Sequence, residues 1–238
     1  MFEKSPAVEV SVSGDGAKVV RTPRGSVTAD TVVVAGSAYM PGLQGVGAIR
    51  RAVLPVMTYA CVTEPLGEAR MAALMKAPYS VTDNRFACDY YRPLADTRIL
   101  WGGRVDCLGI PPAKLAGVLH ADMCKVYPQL ADVKVQVAWP GVMGYARHKM
   151  PLIGKLAGAP GVWYCTGFGG HGVCPTTIAG ELVATAITDG DERWTAFKPF
   201  GLEWAGGPIL GAVGAQTAYA FFNLRDAIKS RRVNGAAA

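Results

Sequence analysis

Val162-Trp163-Tyr164-Cys165-Thr166-Gly167-Phe168-Gly169-Gly170-His171-Gly172-Val173 joins a five-residue apolar run to four glycines within six positions. The run has the length of a buried strand, and a helix-periodic stretch from Thr176 to Thr188 follows it. A strand that ends in glycines and opens a helix makes a turn where backbone can approach a ligand closely. The unpaired N–H groups at the helix start favour negative charge there. Four glycines around a histidine exceed what such a turn requires by itself.

Gly167 to Gly172 also satisfies G-x-G-x-x-G, the dinucleotide-binding fingerprint. That fingerprint needs a second strand ending in an acidic residue about 20 positions on. Here the helix runs into Asp189-Gly190-Asp191-Glu192 and then Trp194 to Pro208 without a strand, so the match fails as a first βαβ unit. The strand end, the glycines and the helix start remain.

A second run of the same kind lies upstream. Asp30-Thr31-Val32-Val33-Val34-Ala35-Gly36 reads as a strand buried on both faces whose carboxyl end is closely approached. Before it, Val8, Val10 and Val12 alternate with polar residues, Gly14-Asp15-Gly16 turns the chain, and 17–22 returns toward Pro23-Arg24-Gly25, which reads as a β-meander. Between the two runs the pattern is antiparallel: strands are predicted at 53–64, 85–92, 98–105 and 133–139, with a helix over 112–126 that Pro111-Pro112 opens and Pro128 closes. The expected fold class is α/β with an α+β layer inserted: 1–46 and 144–238 form one domain, and 47–143 a separate antiparallel-sheet domain.

Composition removes several function classes. Half of the 238 residues are hydrophobic and 18% are charged, so a core is affordable and wholesale disorder is excluded. The net charge of +6 is scattered, densest at Lys229, Arg231 and Arg232, with no basic stripe interleaved with aromatics, so no nucleic-acid partner is expected. Six cysteines without a C-x-x-C pair read as reduced core thiols, and three separated histidines make no metal cluster. Met1-Phe2-Glu3-Lys4-Ser5-Pro6 carries no signal-peptide pattern, and the expected compartment is the cytoplasm. From Trp204 to Leu224 there are 21 uncharged residues, the length of a membrane span. Yet Gln216, Tyr219, Asn223, Asp226 and Ser230 share one helical face and Leu210, Val213, Thr217, Phe221, Leu224 and Ile228 the other. The expectation is an amphipathic helix docked on a globular body, with a span kept as the alternative.

Gly167 to Val173 with Ile178-Ala179-Gly180-Glu181-Leu182-Val183-Ala184 resembles the carboxyl-terminal flavin-contacting motif of the FAD-dependent D-amino-acid-oxidase/glycine-oxidase superfamily. Other segments are similar in the same order: 29–39, Trp139-Pro140-Gly141 and Pro151-Leu152-Ile153-Gly154. Leu54-Pro55-Val56, Thr63-Glu64-Pro65-Leu66, Tyr91-Arg92-Pro93 and 99–104 resemble its gamma-glutamylputrescine oxidoreductase-like branch, as does Leu224-Arg225-Asp226. The resemblance implies a partial FAD-binding domain, a substrate domain, and a member that starts in mid-fold, because family members begin with a βαβ unit carrying G-x-G-x-x-G.

The resemblance further implies oxidation of a C–N bond of an amine or amino acid by hydride transfer to non-covalent FAD. A truncated, inactive remnant or binding module stands as the alternative. Ala35, Gly36, Gly167, Phe168, Gly169, Gly170, His171, Gly172 and Val173 are the implied cofactor contacts. Cys174 stands where some relatives carry a carboxylate-binding lysine, which points away from small N-methyl amino acids, and Gly141 stands near where they link flavin through cysteine. Arg92 reads either as an anchor for an acidic substrate group or as a surface arginine on an edge strand. His148 reads as catalytic or as a surface or supporting histidine; Trp101 and Trp139 read as site walls or core, and Arg104 as structural. The oligomeric state stays open.

Overall fold

Both apolar runs form strands, and they pair with each other. The computed structural model describes residues 1–236, with side chains described through Lys229 except Pro208; Ser230, Arg231 and Arg232, named above, lie outside the described side chains. In chain order the main elements are β1 (Glu9–Val12), β2 (Lys18–Thr22), β3 (Gly25–Ala29), β4 (Val32–Val34), α1 (Gly47–Ala52), β5 (Leu54–Thr63), α2 (Glu68–Leu74), β6 (Val81–Thr82), β7 (Tyr90–Pro93), β8 (Ile99–Asp106), α3 (Pro112–Val126), β9 (Val135–Tyr145), β10 (Leu152–Lys155), β11 (Val162–Thr166), α4 (Pro175–Thr188) and α5 (Ala212–Ala236). Two compact units result, 1–55 with 143–211 and 56–142 with 212–238. These divisions differ from the predicted 46/47 and 143/144, most of all in where the last helix packs.

The first unit holds the meander β1-β2-β3 and a second sheet in the order β10-β11-β4. β11 runs parallel to β4, with Val162 opposite Val32 and Tyr164 opposite Val34, and antiparallel to β10. Leu152, Val162 and Tyr164 pack on one face with Val10, Val34, Val46 and Ile49, while Ile153 and Trp163 pack on the other against Ala179 and Val183 of α4. The reading of 30–36 as buried on both faces is corrected here. β4 has a strand on one side only, and Val33 is 43% exposed.

The second unit is a five-stranded sheet, β6-β7-β8-β5-β9, with α3 on one face. Tyr59, Cys61, Ile99 and Trp101 meet Leu115, Leu119 and Met123 there. Pro140 has no N–H to give a ladder and sits in β9, the edge strand, where the strand runs past the expected end at 139 to Tyr145. The predicted strand 85–92 is shorter, because Asp83 folds the preceding segment into a turn. Its carboxylate accepts the N–H of Arg85 (2.9 Å) and of Asp89 (3.1 Å) and the Arg85 Nε–H (2.8 Å), so the backbone is withdrawn from the ladder until Tyr90.

The predicted amphipathic helix exists but docks by the opposite face, and it begins at Ala212, after Leu210. Gln216 Oε1 accepts the Cys107 N–H (3.0 Å), Asp226 accepts the Phe86 N–H (2.8 Å), and Phe222 stacks on the Phe86 ring at 4.0 Å. Val213, Phe221, Leu224 and Ile228 stay exposed. Two hydrogen bonds from backbone N–H groups to side chains on the polar face, together with a ring stack, decide the orientation against the simple apolar-inward rule. Among the described residues no helix is long and apolar enough to cross a membrane. All six cysteines are free, but only Cys61 is buried and Cys174 is exposed, so the core-thiol reading holds for one of them.

Candidate functional site

Parallel pairing of β4 and β11 puts their carboxyl ends at one edge of the sheet, the edge where open α/β sheets receive ligands. Gly36 leaves one strand and Gly167 the other, so the two glycine positions singled out in separate parts of the sequence belong to one place. The turn 167–173 is pinned to the end of β9: Tyr145 and Phe168 form an antiparallel bridge, and the Gly169 N–H donates to the Gly144 carbonyl at 2.9 Å.

Gly169 and Gly170 both take left-handed backbone, φ +57° and +81°. A Cβ on Gly169 would lie 3.0 Å from the Tyr145 ring, and one on Gly170 would lie 2.7 Å from Met143 Sδ. Past them the chain turns into α4 with Pro175 at its first position. Among the described residues the N–H groups of Gly170, Gly172 and Val173 donate to no protein atom, and Val173 is exposed. The Thr166 hydroxyl, buried at the end of β11, also has no partner among the described residues. Burial pushes the neighbouring Cys165 thiol up, so it remains a neutral thiol beside the turn.

The His171 N–H donates to the Phe168 carbonyl, and its Nδ1 lies 3.1 Å from the Gly169 carbonyl. A nitrogen facing a carbonyl must carry the proton, so Nδ1–H closes the turn and Nε2 is the nitrogen left to accept. His148 is committed at both nitrogens: Nδ1 accepts the Met150 N–H (3.2 Å), so Nε2 is the donor toward the Gly201 carbonyl (3.3 Å). That geometry suits its supporting reading; the catalytic reading requires Nε2 to exchange the Gly201 carbonyl for substrate.

Three residues that sequence reasoning passed over belong to the same edge. Ser37, next to Gly36, has φ +49°, strained backbone for a residue with a side chain. Gly144 is where that loop closes on β9, since a Cβ there would meet Val53 at 2.9 Å, Ser37 Oγ at 3.1 Å and the Ala38 N at 3.2 Å. Tyr145 supports the glycine turn. Spacing could have flagged Gly144 as a second glycine after Gly141 in an apolar strand; nothing in the sequence marks Ser37.

Arg92 lies in the second unit. Register places Tyr90, Arg92, Leu100 and Gly102 on one face of the sheet, with the Tyr90 ring covering Gly102. Tyr91 and Trp101 lie on the other, their rings stacked at 4.4 Å under α3. Arg92 is exposed on the face away from that core. Trp101 is therefore core, with its indole N–H unpartnered among the described residues, and Trp139 is 40% exposed. Arg104 holds the buried Asp122, which also accepts from Lys125 at 2.8 Å, as its structural reading requires.

Residues 1–186 match the sequence profile of the DAO family, described as FAD dependent oxidoreductase. Gamma-glutamylputrescine oxidoreductase of Escherichia coli is 34% identical over 213 residues, covering 87% of this chain and 48% of that protein. Probable oxidoreductase OrdL of Haemophilus influenzae is 33% identical over 200 residues, covering 83% and 45%. Glycine oxidase from Geobacillus kaustophilus has the same fold, with a TM-score of 0.68 at 18% identity over 85% of this chain and 52% of that one. The chain spans about half the length of the curated relatives it matches.

Proposed function

The chain belongs to the DAO family of FAD-dependent oxidoreductases, and from that premise we propose that it serves the oxidation of a C–N bond in an amine or amino acid, with non-covalent FAD held in part by the edge formed at 36–38, 144–145 and 167–173. The observation that carries this reading is the glycine turn. Its four glycines and the Gly170, Gly172 and Val173 N–H groups, unpartnered among the described residues, form a donor-rich cradle at the start of a 14-residue helix. Such a cradle suits the pyrimidine edge of a flavin.

When bound, the flavin supplies the two-electron acceptance that turns an amine into an imine, which water then hydrolyses. The residues of this chain hold and polarise. The N–H groups of Gly170, Gly172 and Val173 and the α4 start would stabilise negative charge at the ring edge. Gly36 and Ala35 would lie beside the cofactor's ribityl or pyrophosphate part, with the Gly36 Cβ position already filled by Met40 Cγ at 2.6 Å. His171 keeps the turn closed through Nδ1, and His148 ties 148–150 to Gly201. Arg92, exposed on the open face of the second unit's sheet, is the proposed anchor for an acidic substrate group. In this reading the first unit is the FAD-domain remainder and the second the substrate domain. With Cys174 in place of a carboxylate-binding lysine, a larger amine such as a polyamine derivative suits the site better than a small N-methyl amino acid. The cytoplasm is the proposed compartment, on the six free cysteines.

The test is to express the chain with the in-frame coding sequence upstream of Met1. Flavin absorbance in the purified protein, bleached anaerobically by a gamma-glutamylated amine, is the expected result; colourless protein with no flavin on denaturation refutes it. The alternative is an inactive remnant or binding module, in which the exposed Val33 of β4 would be a docking edge. A flavin-loaded, cooperatively melting 238-residue chain would remove that alternative.

A further inference from the structure

Turning the polar face of α5 inward leaves an apolar stripe outside. Val213, Thr217, Phe221, Leu224 and Ile228 follow one another along the helix, and the four apolar members are 60%, 63%, 63% and 43% exposed. The stripe is about 22 Å long at 1.5 Å per residue. Solvent exposure of such a row on a helix already anchored by its other side calls for an occupant.

The surroundings of the stripe are basic. From Trp204 onward the sequence carries Arg225, Lys229, Arg231 and Arg232 against a single acid, Asp226. That acid is buried, with its carboxylate turned to the Phe86 N–H. Arg225 lies over the Phe222 ring at 4.7 Å with its guanidinium 3.6 Å from Asp226, and Lys229 is exposed one turn further. The described solvent-facing side of α5 therefore has cations and no anion. A second copy of the stripe would set Arg225 and Lys229 against the same cations, a like-charge meeting that an anionic surface does not impose. An apolar row edged by cations on a helix that cannot span matches a helix lying in a lipid interface.

We propose that the exposed face of α5 docks the protein on an anionic membrane surface, Phe221, Leu224 and Ile228 entering the acyl boundary and Arg225 and Lys229 meeting lipid phosphates. This is a peripheral attachment through the outer row of α5 and does not depend on flavin chemistry.

The experiment is co-sedimentation of the full 238-residue chain with vesicles of phosphatidylcholine alone and of phosphatidylcholine with phosphatidylglycerol. Binding to the anionic vesicles, and its release by salt, is the expected result. Phe221→Ser with Leu224→Ser should weaken it about tenfold or more, and Arg225→Gln or Lys229→Gln about fivefold each. These side chains are solvent-facing, and an unchanged far-ultraviolet spectrum and melt confirm that each variant folds. Equal binding to neutral vesicles, or none to either kind, overturns the proposal. So does a dimer in sedimentation equilibrium that Phe221→Ser with Leu224→Ser dissociates, because the stripe is then an interface between copies.

Discussion

Gly169, Gly170 and Gly180 are three glycines of the same motif region with three different structural settings, so alanine at each has a different expected effect. At Gly169, φ is +57°, and an alanine there costs about 1–2 kcal/mol for the left-handed backbone. About 0.4–1 kcal/mol is recovered because the unfolded chain becomes less free. The new Cβ also meets two carbons of the Tyr145 ring at 3.0 Å. That ring cannot retreat cheaply, since Tyr145 is bridged to Phe168, and crowding adds about 1 kcal/mol, for a net loss near 2. At Gly170 the backbone cost is similar, but the contact is Met143 Sδ, which swings aside, leaving a net loss of about 1 kcal/mol. Gly180 sits inside α4 with nothing within 4 Å of its Cβ position, so alanine there stabilises by about 0.5–1 kcal/mol.

At about 2–4 °C per kcal/mol for a chain of this size, thermal melts followed by circular dichroism should fall by about 4–8 °C for Gly169→Ala and about 2–4 °C for Gly170→Ala, and rise by about 2 °C for Gly180→Ala. A Gly169→Ala protein that melts at or above the parent, or above Gly170→Ala, refutes the geometry assigned to the turn.

Three more outcomes follow from the second unit and from the cysteines. Tyr59→Phe removes a hydroxyl that donates to Asp106 (2.8 Å) and accepts the Ile110 N–H (2.9 Å); leaving that N–H unpaired should cost about 1–3 kcal/mol in urea unfolding. Burial opposes ionisation of Asp122, yet hydrogen bonds from Arg104 and Lys125 hold its carboxyl below the ordinary 3.8. Its stabilisation is present above that value and disappears as pH falls through the lower folded-state pKa, so Asp122→Asn should flatten the acid side of the melting-temperature profile while lowering the plateau. In thiol titration with a disulfide reagent, exposed Cys174 should react in the native protein. Cys61, buried with its thiol pushed up to about 12, should react only on unfolding.

Much of the fold was legible because local chemistry and tertiary environment agree. The apolar run 162–166 and the helix after it need only strand length, glycine and a proline at the helix start. Prolines bound α3 within a residue of expectation, and alternation reveals the meander. Legibility failed where a side chain competed with the backbone. Asp83 gathers the N–H groups of Arg85 and Asp89 into a turn inside what reads as a strand. In the candidate site, the glycines at 36 and 167–172 were visible as residues that can take left-handed or crowded backbone. The supporting parts, Ser37, Gly144 and Tyr145, were not, since their importance comes from segments 23 to more than 100 residues apart meeting at one edge.

What the amino-acid sequence determines by itself is therefore the set of elements and the glycine turn, because hydrophobic period and backbone freedom act within a few residues. Tertiary structure alone decides how those elements are used. Parallel pairing of Val32–Val34 with 162–164 brings the two glycine ends together, and contacts made by Gln216 and Asp226 with 107 and 86 turn the last helix apolar side out. In both cases the deciding force is a hydrogen bond whose partner lies far along the chain, and no local pattern encodes which partner that is.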